Sequence, residues 1–257
     1  MGRVVAYLGP ETPIADPILG GSYSLLQQAE ECPAGFGIGW FPLDEDPRPI
    51  RTRGRDALAA SEHLLEPLGR YRCRAALAAV GAPRQPAELS DLQPSSDGRH
   101  LFAFEGRLER YASVFLRPLS AELSDEAFAS LEGGGPGALL FALWREAMAE
   151  RTGGEAMADA LESVIGRVQA LATEADASAS IAVVATDGQG LLAVRTATHG
   201  PPPPLYTTVA ADRAPVPESG RIVATEPTFP GQWEAIDPHA LMIFTVESAP
   251  EPTPTPV

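Results

Sequence analysis

Apolar and polar positions along this chain alternate in short runs near both ends and follow a helical period in the middle. Val4, Val5, Tyr7 and Leu8 are β-prone and Gly9-Pro10 interrupts the run, so a strand is predicted over Met1 to Leu8. Ser22 can cap a short helix reaching Ala29. Beyond it, Gly35, Gly37 and Gly39 alternate with Phe36, Ile38 and Trp40, which predicts a strand packed closely on one side. Leu58, Leu64, Leu65 and Leu68 have helical spacing within Asp56 to Leu68, and Arg72 to Val80 reads as a buried strand. A further strand, Arg99 to Phe104, follows the turn-prone Ser95-Ser96-Asp97-Gly98.

After the glycine run 133 to 137, two amphipathic helices are predicted, Ala138 to about Arg151 and Glu155 to Thr173. The glycine run lacks the Lys-Ser/Thr of a phosphate loop and reads as a flexible turn before a helix. The chain then reverts to strands. Ile181 to Ala185 and Leu191 to Thr196 flank an Asp187-Gly188 turn and predict a hairpin. Pro201 to Pro204 forms a stiff spacer, and Leu205 to Val209, Arg221 to Thr225 and Leu241 to Val246 supply the last strands. The segment 248–257, rich in Pro and Thr, has the composition of a disordered tail. Two strand-rich blocks around a helical pair predict an α/β fold of packed sheets with helices outside.

Composition narrows the function classes. A formal charge of -15 argues against nucleic acid as a partner, because phosphates attract clustered Lys and Arg. No apolar run approaches the roughly 20 residues that span a bilayer, and no secretory signal opens the sequence, so a cytoplasmic protein away from membranes is expected. Cys32 and Cys73 are too few for a disulfide framework and read as structural thiols. Cys32 precedes Pro33 and has no histidine beside it, which weakens it as a nucleophile. His63, His100, His199 and His239 have neither HxH nor HExxH spacing, so no metal and no cofactor is expected. Arg51, Arg53 and Arg55 are spaced by two, as for a partner-binding or anion patch, or for a solvated edge that deters strand pairing.

Several short motifs carry a resemblance. Met1-Gly2-Arg3-Val4-Val5-Ala6-Tyr7-Leu8-Gly9 resembles the Met-Cys-Arg opening of the compact class II glutamine amidotransferases, the type that includes the γ-glutamyl hydrolase of ergothioneine biosynthesis. Ser24-Leu25-Leu26-Gln27-Gln28 is similar to the family's first helix, and Gly35 to Trp40 to its glycine-rich second strand. Leu192 to Arg195, Leu205-Tyr206-Thr207, Arg221 to Pro227 and Trp233 resemble its late strands. The resemblance covers a single domain over 1–247. It implies an N-terminal-nucleophile-type four-layer αββα sandwich of two mainly antiparallel sheets.

The same resemblance implies that the chemistry is gone. The family attacks glutamine with an N-terminal cysteine thiolate; here Gly2 supplies no attacking atom. Ala76 stands where the family's carboxylate-binding arginine belongs, and Ala79 where its threonine belongs. Glu105-Gly106 replaces the Asn-Gly whose amide serves the oxyanion, and a carboxylate there opposes the developing charge. Cys32-Pro33-Ala34, leading into Gly35, and Gly135-Pro136-Gly137-Ala138 replace the segments whose acidic residues hold the substrate ammonium. A vestigial pocket formed by Ala34, Gly35, Ala76, Ala79, Glu105 and Pro136 is therefore expected, with Arg3 tethering the first strand and Arg74 a possible partner of Glu105. The resemblance points to a pseudoenzyme working through a protein partner or homo-oligomer. The alternatives are a small-molecule-binding module that uses the emptied pocket, and an active amidotransferase or γ-glutamyl amidohydrolase.

Overall fold

The structure, a computed structural model, describes residues 2–31, 35–43, 48–81, 88–149, 151–210, 215–245 and 255–256. Strand β1 (Arg3–Pro13) is followed by α1 (Ala15–Leu19), α2 (Leu25–Glu31), β2 (Phe36–Trp40), β3 (Ile50–Gly54), α3 (Glu62–Arg70) and β4 (Arg72–Val80). Then come β5 (Ser95–Ser96) and β6 (Leu101–Leu108), a π-helical turn at Ala112–Leu116, α4 (Arg117–Ser120), α5 (Asp125–Ala129), α6 (Pro136–Met148) and α7 (Gly154–Glu174). The chain closes with β7 (Ala179–Thr186), β8 (Gly190–Ala197), β9 (Tyr206–Ala210), β10 (Arg221–Ala224), β11 (Gln232–Ala235), β12 (Ala240–Thr245) and β13 (Thr255–Pro256).

Two sheets result, ordered β11-β9-β10-β1-β4-β2-β3 and β13-β12-β8-β7-β6-β5, and their strand pairs are antiparallel. Side-chain alternation sorts the core into three clusters. Val5 and Tyr7 of β1 point towards α1, α2 and α3, together with Ile18, Leu25 and Leu68. Val4, Ala6 and Leu8 of the same strand point the other way, against Leu101, Ala103, Val184 and Ala193 of the second sheet. On the far side of that sheet, Phe102, Ile181 and Val183 meet Trp144 of α6 and Leu161, Val164 and Val168 of α7. The layers are thus helix, sheet, sheet, helix, the αββα sandwich expected. Central strands buried on both faces explain why β4 reads as an almost unbroken apolar run.

Most boundaries agree with the sequence reading to within a few residues. β1 instead runs past the predicted break at Gly9-Pro10, because its pairing with β4 shifts register between Leu8 and Thr12. An irregularity of that kind accommodates a residue with no N–H to donate, and the Tyr7 hydroxyl donates to the Pro10 carbonyl at 2.6 Å. The glycine face of β2 does make the predicted close approach: a Cβ on Gly37 would lie 2.1 Å from the Gln93 carbonyl oxygen, and one on Gly39 2.6 Å from Leu101. Of the tail proposed to be disordered, Thr255 and Pro256 pair with Leu241 and Ala240, and its other residues lie outside the described ones. Among the described residues, no helix is long and apolar enough to cross a membrane.

Cys73 is fully buried in β4, and burial pushes its thiol up to about 12, against the pull of Arg72. Iodoacetamide at pH 8 should therefore leave Cys73 unmodified in the native protein and alkylate it in urea, as read by peptide mass mapping.

Candidate functional site

The start of β1, the end of β6 and the start of α6 converge on one cavity of about 500 Å3. Gly2, Gly81, Glu105, Gly106 and Pro136 all contribute to its lining. Two of these positions demand glycine. Gly106 has φ +139°, and a Cβ there would fall 2.0 Å from the Ser180 carbonyl oxygen; Gly81 has φ +104°, and its Cβ would press on the Gly2 Cα at 2.9 Å. At the third wall Gly135 precedes α6 and Pro136 occupies its first turn, where a missing N–H costs no helical bond.

Glu105 dominates the site. Its Oε2 accepts a hydrogen bond from the Gly2 backbone N–H at 3.1 Å. A Cβ built on Gly2 would lie 2.1 Å from Glu105 Oε1 and 2.9 Å from the Val80 carbonyl oxygen. The carboxylate therefore fills the space that any side chain at position 2 would enter. Burial pushes the Glu105 carboxyl up to about 7, and the Gly2 N–H, the chain's amino-terminal charge and Arg3 oppose that rise. Arg3 itself is paired with Glu226 at 2.6 Å, the tether expected of it.

The remaining residues singled out from sequence separate into distinct groups. Ala76 and Ala79 do not line the cavity. Alternation along β4 turns Ala76 into the core beneath the helices and Ala79 into the core between the sheets, and a methyl group reaches no further. Gly35 also stays outside the lining; it accepts a bond from the Gly81 N–H through its carbonyl at 2.9 Å and so holds the loop behind the site. Arg74 is exposed on β4, so the partner of Glu105 is Gly2 rather than Arg74. Ala34 and Cys32 lie outside the described residues. His100 is buried against Asp97, His239 bonds Thr196, His199 bonds Thr198, and His63 is exposed.

Arg51 and Arg53, candidates for a partner or anion patch, point inwards to Glu132 at 3.0 and 3.2 Å and also donate to the Pro94 and Leu89 carbonyls. They pin the outer strand β3 to the cavity wall, whereas Arg55 is exposed. Sequence reading missed Asp91, Gln93, Arg107 and Glu132 in the lining. Gln93 left no motif to find, because its amide works on backbone: Nε2 donates to the Phe104 carbonyl at 2.8 Å while Oε1 accepts from the Phe104 N–H. Among the described residues lining the cavity there is neither cysteine nor histidine, and hence no Cys-His or Ser-His pair. What the arrangement offers chemically is a carboxylate beside an open volume with an apolar wall.

No protein-family model matches the sequence, and no curated protein matches it. Solved structures do. A glutamine aminotransferase class-II domain protein from Silicibacter pomeroyi superposes with a TM-score of 0.69 at 20% identity, covering 99% of this chain and 98% of the other. Glutamine phosphoribosylpyrophosphate amidotransferase from B. subtilis gives 0.67 at 14% identity, with 99% of this chain matched to 49% of that one. A predicted glutamine amidotransferase from Pseudomonas aeruginosa gives 0.58 at 15%, over 96% and 98% of the two chains. The chain has the class II glutamine amidotransferase-like fold, of the N-terminal-nucleophile type.

Proposed function

We propose that this chain is a catalytically inactive glutamine amidotransferase-like protein that acts through contacts with other proteins, as a structural or regulatory subunit. The observation that carries this is Glu105: its carboxylate stands where the fold's nucleophilic side chain would project from position 2, and Gly2 offers only backbone beside it. A carboxylate there cannot donate to an oxyanion while ionised, and its charge opposes one. The whole sandwich is nevertheless kept, which supports a role that depends on the fold's surface.

Incubated with glutamine or γ-glutamyl compounds, the purified protein should release no glutamate or ammonia above the level of a cavity-filling Ala138→Trp variant. Turnover by the wild type that this variant lacks would overturn the proposal. A second reading, small-molecule binding, is favoured by one specific observation. The cavity in front of Glu105 stays open at about 500 Å3, within the roughly 300–1,000 Å3 of ordinary ligand sites.

A further inference from the structure

The cavity carries carboxyl groups that its surroundings compensate only in part, with the Gly2 N–H, the chain's amino-terminal charge and Arg3 acting on Glu105 from one side. Glu105 accepts from the Gly2 N–H, while an ionised carboxylate offers about four lone-pair positions. Asp91 and Glu132 add two more carboxyl groups to the lining. Glu132 is shared by Arg51 and Arg53, two cations on one carboxylate, so Asp91 and Glu105 are the carboxyl groups of the lining outside that cluster. Arg107 is the basic residue of the lining, and it stands exposed at the rim. Arg3 is committed to Glu226, and both ends of the Gln93 amide are committed to Phe104. Facing this acidic floor are Leu92, Phe104, Leu108, Pro136 and Ala138.

We propose, resting on the ligand-binding reading above, that the cavity binds an aliphatic amine carrying no carboxylate, its ammonium on Glu105 and its hydrocarbon part against Phe104, Leu92 and Pro136. A half-buried carboxylate that gains a cation recovers solvation it lost on folding, which is why a charged partner is favoured over a neutral one. The absence of a carboxylate follows from the same lining. An amino acid such as glutamine would bring a second negative charge towards Glu105 and Asp91, with Arg107 at the rim as its cationic partner. The hydrocarbon part follows from the apolar wall, against which burial is worth about 0.8 kcal/mol per methylene.

Calorimetric titration of the full chain tests this with agmatine and hexylamine as amines, hexanol as the neutral isostere, and glutarate and glutamine as carboxylate-bearing probes. Saturable one-to-one binding of an amine is expected, weakened at least about tenfold by Glu105→Gln. It should also tighten roughly tenfold from pH 6 to pH 8 as Glu105 ionises; the charged groups around it are Arg3, Asp91, Arg107, Glu132 and the chain's amino terminus. Ala138→Trp should abolish binding too, which keeps the test decisive if Glu105→Gln fails to fold. Binding of hexanol or glutarate without the amines would overturn the amine assignment and leave the ligand-binding reading standing. Silence from every probe would overturn both. Amine binding unchanged in Glu105→Gln and abolished by salt would assign it to the acidic surface and overturn the proposal.

Discussion

Gly2→Cys is expected to destabilise the protein by about 1–3 kcal/mol and to leave it without glutaminase activity. The added Cβ falls 2.1 Å from Glu105 Oε1, so the carboxylate must swing away and give up its 3.1 Å bond from the Gly2 N–H. Rotation of Glu105 relieves only one of the two conflicts. The Val80 carbonyl oxygen, 2.9 Å from the same Cβ, belongs to the backbone of β4, which is paired with β1 through Arg3 and Val80. Removing the carboxylate should recover the part of the loss that Glu105 causes and leave the part due to the Val80 carbonyl. On a Glu105→Ala background Gly2→Cys should therefore cost less than in the wild type, giving a coupling energy of about 1 kcal/mol or more between the two sites. Urea midpoints of the four proteins measure it. If the two effects add to within about 0.5 kcal/mol, Glu105 does not occupy the place of a side chain at position 2, and the proposal of a filled nucleophile site loses its physical basis.

The fold was legible wherever burial dictated residue choice. β2 and β4 are apolar or glycine-rich along most of their length because sheet and helix layers enclose them, and their limits match the sequence pattern. β3 and β11 escaped notice as strands because their side chains are polar at sheet margins. Ile50-Arg51-Thr52-Arg53-Gly54 alternates arginines that serve Glu132, and Gln232 to Ala235 is held by backbone pairing with β9. Pairing decided by a neighbour's free N–H and C=O groups leaves little trace in hydrophobicity. The candidate site divided in a similar way. Gly2, Glu105, Gly106 and Pro136 meet at one cavity, because the start of β1, the end of β6 and the start of α6 converge there. Ala76 and Ala79 do not, because alternation along β4 turns one into the core beneath the helices and the other into the core between the sheets. Asp91, Arg107 and Glu132 are ordinary loop or strand-end residues whose placement depends on the three-dimensional path.

Glu105→Gln should stabilise the protein in a pH-dependent way. Burial raises the Glu105 carboxyl from an ordinary 4.5 to about 7. Below pH 4.5 the group is protonated in folded and unfolded chains alike, and its burial carries no ionisation cost. Between 4.5 and 7 the unfolded chain releases the proton while the folded protein keeps it, so stability falls as pH rises and levels off above about 7. The full effect of such a rise is on the order of 3 kcal/mol. A glutamine at 105 does not titrate, so the variant's advantage over wild type should grow by roughly 2–3 kcal/mol across this window, about 5–10 °C in melting temperature for a chain of this size. Denaturation midpoints at pH 4.5, 6 and 8 measure it. A difference that stays constant with pH would mean that Glu105 is well solvated, and the same result would remove the reason for a cation to be drawn to it. If the difference grows as expected, a saturating amine should recover part of it in the wild type at pH 8 and stabilise the variant less, because only an ionised Glu105 gains from the added charge.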